Sequence, residues 1–125
     1  MQAEHSRSNN AKGFWATKIA YVYLDDLHDE GNAIVWLEQA VTHNSVDKNA
    51  IDSLAQLYAK TKNQDRGLMF LNQIDREFTK TLLHGKILIE MSAIRQGIDL
   101  LRSLPASELD ERSVDLLERY NNTST

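Results

Sequence analysis

The side chains best suited to move a proton near neutral pH or to hold a transition metal are the four histidines, His5, His28, His43 and His84. A zinc-type site on a helix needs two imidazoles one turn apart with a further ligand close by, and none of the four is so spaced. His5 falls in a polar N-terminal stretch, His28 and His43 at helix ends, and His84 in mid-helix between Leu83 and Gly85. Each reads as a packed or solvated imidazole, so no metal or other cofactor is expected. The acidic run Asp25-Asp26-Leu27-His28-Asp29-Glu30 has enough carboxylates for calcium, but it lacks the alternating oxygen ligands and the closing glutamate of a calcium loop. It reads as a solvated helix end. With no cysteine, thiolate nucleophiles, disulfides and thiolate metal sites are all excluded. No strand leads into a glycine-rich phosphate loop, and no nucleophile elbow frames a serine. Enzyme chemistry is not expected.

Composition narrows the partners. The chain has 125 residues and a formal net charge of −4, with no cluster of Lys and Arg to release counterions from a polyanion. Nucleic acid binding is therefore not expected. No run of apolar residues is long enough to cross a bilayer, so no membrane insertion is expected either. One proline and five glycines leave few sheet turns and favour helices.

The elements that must position any site follow from helical periodicity. It predicts helices over 14–27, 33–43, 48–62, 66–77, 78–91, 94–104 and 107–120. Asp47, closing the polar turn 44–47, is placed to cap the third helix. Pro105 stops the sixth, and Ser107 to Asp110 opens the seventh with a pattern close to a capping box. Residues 1–12 read as a disordered leader, 13–120 as one helical domain and 121–125 as a flexible tail.

A shift of 34 residues lays Ala33-Ile34 on Gly67-Leu68, Leu37 on Leu71, Ala40 on Ile74 and Leu24 on Tyr58. With a linker shortened by four, Gly97-Ile98, Leu101 and Leu104 form a third copy, and Gly85 and Leu88 fall in its first helix. This pattern resembles the tetratricopeptide repeat. In that family the eighth, twentieth and twenty-seventh places are small and the eleventh is large. Here the eighth places hold Tyr21, Ala55 and Gly85, the eleventh Leu24, Tyr58 and Leu88, the twentieth Ala33, Gly67 and Gly97, and the twenty-seventh Ala40, Ile74 and Leu104. Tyr21, Ile74 and Leu104 depart from the pattern, and the usual proline at the repeat end is missing. The resemblance implies an all-α superhelical array of about three antiparallel helix-turn-helix repeats plus a C-terminal capping helix. A less specific array of helical hairpins is the alternative. In either case small residues at equivalent places let neighbouring helices approach closely.

The resemblance also implies a concave groove lined by the first helix of each repeat. Its lining would be Trp15, Lys18, Val22 and Asp25, then Asn49, Asp52, Gln56 and Ala59, then Thr79, Leu82, Lys86 and Ile89. Such a mixture of aromatic, amide and charged groups suits an extended peptide or a helix. Relatives that clamp a chaperone's terminal carboxylate use Lys, Asn and Arg. Here Lys18 fits, whereas Val22, Ser53, Thr79 and Leu83 do not, so that ligand is not implied.

The expected function is a non-catalytic scaffold or adaptor holding a protein segment in this groove. The alternative is a self-associating or spacer segment of a larger secretion, envelope or regulatory protein. The aromatic stretch 14–23 is open between covering the end of the stack, packing on an upstream repeat, forming a homodimer and binding a ligand. The expected compartment is the cytoplasm, or the periplasm for an excised fragment.

Overall fold

The structure, a computed structural model, describes residues 2–43 and 47–123. It is all-α, with seven α-helices and no strand among the described residues. They are α1 (Gln2–Tyr21), α2 (Glu30–His43), α3 (Lys48–Lys60), α4 (Gln64–Phe70), α5 (Glu77–Glu90), α6 (Ile94–Arg102) and α7 (Glu111–Thr123). Contacts run mainly between neighbours: α1 packs on α2, α2 on α3, α3 on α4 and α5, α5 on α6, and α6 on α7.

The central helices form where an apolar stripe recurs every three or four residues. In α2 the buried positions are Ala33, Ile34, Leu37, Ala40 and Val41; in α3 they are Ala50, Ile51, Leu54, Ala55, Leu57 and Tyr58. Asp47 caps α3 as the sequence predicts, its carboxylate accepting from the Ala50 amide at 3.1 Å. Residues 44–46 of that turn lie outside the described residues.

The largest departures from the expected helix bounds fall on the first, fourth and seventh helices. Helix α1 begins at Gln2, so its backbone is helical through the stretch read as a disordered leader. Nothing upstream of Gly13 breaks a helix, and the turn around the buried Ala16 can propagate backwards. At its other end α1 runs into one π turn, Val22–Asp26. The fourth helix stops at Phe70 rather than 77. The chain tightens into a 3₁₀ turn over Leu71–Gln73 and goes extended at Ile74, which buries both Leu71 and Ile74. Ser107 lies in a 3₁₀ turn, Ala106–Glu108, so the predicted capping box does not form and α7 starts only at Glu111. Helix α7 then continues to Thr123, past the expected end at 120; Ser124 and Thr125 lie outside the described residues.

The turns that end the first, third and fifth helices share one geometry. His28, Lys62 and Ser92 have φ of 52°, 60° and 69°, the left-handed conformation. In each, the amide one residue on returns to a carbonyl in the last turn: Asn63 to Tyr58 at 2.6 Å, Ala93 to Leu88 at 2.9 Å and Asp29 to Tyr23 at 2.7 Å. The last closure spans one residue more because the π turn precedes it. Positions 28, 62 and 92 advance by 34 and then 30 residues, the spacing of the sequence copies. None is glycine, so each pays the steric cost of a side chain at positive φ. Lys62→Gly is expected to stabilise the fold by about 0.5–1 kcal/mol, read as a higher Tm. An unchanged or lower Tm would show that the Lys62 side chain offsets the strain.

The small residues lie where the helices cross. Ala33 and Ala40 are fully buried. A Cβ on Gly67 would come within 2.7 Å of the Tyr58 ring and 3.0 Å of Ile87. A Cβ on Gly97 would meet the Gly85 carbonyl oxygen and Ile89 Cγ1, each at 2.6 Å. The room left by Gly67 admits the buried Tyr58 ring, whose hydroxyl donates to Glu38 Oε2 at 2.6 Å. Glu38 also accepts from Arg66 at 2.7 and 3.0 Å, so one carboxylate ties α2 to α3 and α4. Burial, and then the bond to Glu38, push the Tyr58 hydroxyl far above its ordinary pKa and keep it a donor.

Candidate functional site

A concavity of about 870 Å³ opens between the π turn, α3, the end of α5 and α7. Its apolar lining includes Leu24 and Leu57; its polar lining includes Asp25, His28, Ser53, Gln56, Lys60, Glu90 and Arg112. Of the residues expected to line a groove, it unites Asp25, Gln56 and Ala59. Lys18 and Val22 flank it in a shallower recess that shares Asp25.

Trp15 is elsewhere. It lines a groove of about 380 Å³ between α1 and α2 with Ile19, Trp36, Gln39 and His43. Trp15 is 61% exposed and meets Phe14 edge to face, with ring centroids 5.7 Å apart. Lys18 leans over the Phe14 ring at 4.9 Å. Asn49 is exposed in a further recess beside Asp47, Lys48 and residues 109–111.

The third stretch of the expected groove requires correction. Thr79, Leu82 and Lys86 are buried rather than open to a ligand. A strap formed by the chain's own segment 105–113 lies against that side of α3 and α5. Lys48 Nζ donates to the Ser107 carbonyl at 2.6 Å and to that of Leu109 at 3.4 Å. Arg76 Nη2 reaches both Glu108 oxygens, at 2.7 and 2.5 Å. Lys86, only 5% exposed, sits between Asp52 and Asp110 with 2.8 Å to each. Asp52 is therefore half-buried: it accepts from Lys86, from Gln56 at 2.8 Å and from Arg112 at 3.1 Å. Asp52 and Gln56 are one helical turn apart; the other partners stand 24 to 61 residues apart, beyond the reach of a pattern within one helix.

Burial pushes the Asp110 carboxyl upward, but the Lys86 ammonium and the Ser113 hydroxyl outweigh it, and the net pKa is lowered. A carboxylate with a folded pKa below its unfolded one adds stability above the unfolded value and loses it as pH falls through the folded value. Wild type is therefore expected to exceed Asp110→Asn in stability near neutrality. That margin should shrink as pH falls below about 4, as measured by urea unfolding at a series of pH values. A margin independent of pH would mean that Asp110 acts through shape rather than charge.

Sequence reasoning missed Leu24, His28, Leu57, Lys60, Glu90 and Arg112 as lining residues, and met Ser53 only as a clamp place. The first two come into place through the π turn, which carries no clear sequence signal, and Arg112 arrives with the strap. His84 is half-buried in α5. No group of three or more His, Asp or Glu poised for a metal ion occurs among the described residues. No helix among them is long and apolar enough to cross a membrane. No protein-family model, curated protein or solved structure matches this chain.

Proposed function

We propose that this chain is a non-catalytic adaptor: three tetratricopeptide-like hairpins, α1–α2, α3–α4 and α5–α6, closed by α7 and holding a protein segment in the 870 Å³ concavity. The observation that carries the repeat reading is the left-handed closure at His28, Lys62 and Ser92, in step with the sequence copies. Gly67 and Gly97, packed at equivalent crossings, support it. The concavity supports the binding role because apolar Leu24 and Leu57 lie among polar groups of both signs, Asp25 and Glu90 against Lys60 and Arg112.

Affinity capture with wild type beside a double variant, Asp25→Lys with Lys60→Glu, tests this reading. A partner retained by the first and lost by the second, with circular dichroism unchanged, is expected. Identical capture by both proteins would overturn it.

A second reading, self-association through 14–23, is favoured by the exposed Phe14–Trp15 pair. Light scattering over a concentration series separates the two, since only self-association raises the mass, and Trp15→Asp would then restore the monomer.

A further inference from the structure

The strap resembles a bound peptide more than it resembles a helix cap. Its backbone is extended at Pro105 (ψ 148°) and again at Leu109 (φ −97°, ψ 141°), with one 3₁₀ turn between. Contacts along it alternate. The carbonyls of Ser107 and Leu109 are taken by Lys48, while the side chains of Glu108 and Asp110 are taken by Arg76 and Lys86. Leu109, between the two acids, packs against the core. Main-chain contacts combined with recognition of alternate side chains are how grooves read extended segments.

Two of the three cations, Lys86 and Arg76, keep a partner on α3 or α5 without the strap. Lys86 retains Asp52 at 2.8 Å, and Arg76 Nη1 contacts Thr79 Oγ1 at 3.3 Å. Departure of the strap therefore strands no buried charge on Lys86. The apolar hold on the segment is light: Leu109 and Leu117 are only partly buried, and Val114 is exposed.

We propose that Lys48, Arg76 and Lys86 form a receptor for an acidic segment of the pattern carboxylate–apolar–carboxylate, which residues 107–110 occupy in cis, and that a partner protein's segment of this chemistry displaces the strap. This rests on the adaptor reading and extends the concavity beneath α7, since Arg112 and Glu90 border both. A tethered occupant competes at high effective concentration, so a free ligand binds weakly until the strap is loosened.

The probe is a fluorescein-labelled peptide of residues 104–113, LPASELDERS. Binding is measured by anisotropy to the full chain and to the full-length double variant Glu108→Gln with Asp110→Asn. The variant is expected to bind at least tenfold more tightly than wild type. A peptide carrying the same two neutral replacements is expected to bind it at least tenfold more weakly than the acidic one, and adding Arg76→Glu to the variant should abolish binding. Hydrogen exchange on wild type gives a readout that does not depend on the variant folding: excess acidic peptide should speed exchange in 111–120, and the neutral peptide should not. A folded variant that binds no better than wild type, equal binding of the neutral peptide, or unchanged exchange would overturn the proposal. Exchange of straps between two copies, seen as a concentration-dependent dimer of wild type, would also overturn it. If these fail while Asp25→Lys with Lys60→Glu still loses its captured partner, the adaptor reading stands and the strap is only a cap.

Discussion

Lys86→Met is expected to cost about 3–5 kcal/mol in unfolding free energy, because removing one member of a buried ion group leaves the others uncompensated. Lys86 is 5% exposed and holds Asp52 and Asp110, of which Asp110 is nearly as buried. Asp52 keeps Arg112, but that guanidinium is half exposed and screened by solvent. Asp110 is left with the Ser113 hydroxyl and a backbone amide, neutral donors that cannot balance a carboxylate charge. Adding Asp110→Asn should therefore recover a large part of the loss, and the double-mutant cycle should show coupling well above the experimental error. Urea unfolding measures both. A loss below about 1 kcal/mol for the single variant would mean that Lys86 behaves as a surface cation.

Gly97→Val is expected to be of comparable severity for a different reason. Even a bare Cβ there would stand 2.6 Å from a main-chain oxygen and 3.1 Å from the Ile89 amide nitrogen, and backbone cannot rotate aside as a side chain can. Helices α5 and α6 would have to separate along their whole contact. Overpacking of this kind costs about 1–3 kcal/mol for small enlargements, and valine adds two methyl groups beyond the first. The roughly 1 kcal/mol of helix propensity recovered on leaving glycine does not offset it. Gly31→Ala is the control. Its Cβ would meet only Asp29 Oδ1, at 3.7 Å, so propensity acts alone and a gain of up to about 1 kcal/mol is expected. Thermal unfolding of the two variants should move in opposite directions; a neutral Gly97→Val would show that the crossing is loose.

What the sequence revealed and what it hid divide along a physical line. Ala33, Gly67 and Gly97 were legible because close crossing imposes small size at a recurring interval, and size is a property of the residue alone. The positions of α2, α3, α5 and α6 were legible for the same reason, since their buried residues repeat within a few positions of one another. The end of α4 was not, because Ile74 stays buried whether the chain is helical or extended there. Tyr21, too large for the place that the tetratricopeptide resemblance would assign it, turns out half-buried with its hydroxyl 2.7 Å from Ser53, a contact that only folding creates. The burial of Thr79, Leu82 and Lys86 was hidden most deeply. Their neighbours supply the right periodicity for an open wall, and only the charges of a segment far along the chain decide that the wall is covered.

Helix α1 buries little among its described side chains: Gly13, Ala16 and Ala20 are its buried positions, and its large residues Phe14 and Trp15 face outward. A cylinder that contributes so few carbon atoms to the interior has little to lose by detaching. In a molecule whose helices hold mainly their neighbours, loss of order should therefore begin at this end and travel inward. Brief exposure to a dilute protease would then clip near Lys18 first and leave a shortened, still folded remainder that keeps the ion-locked strap and α7.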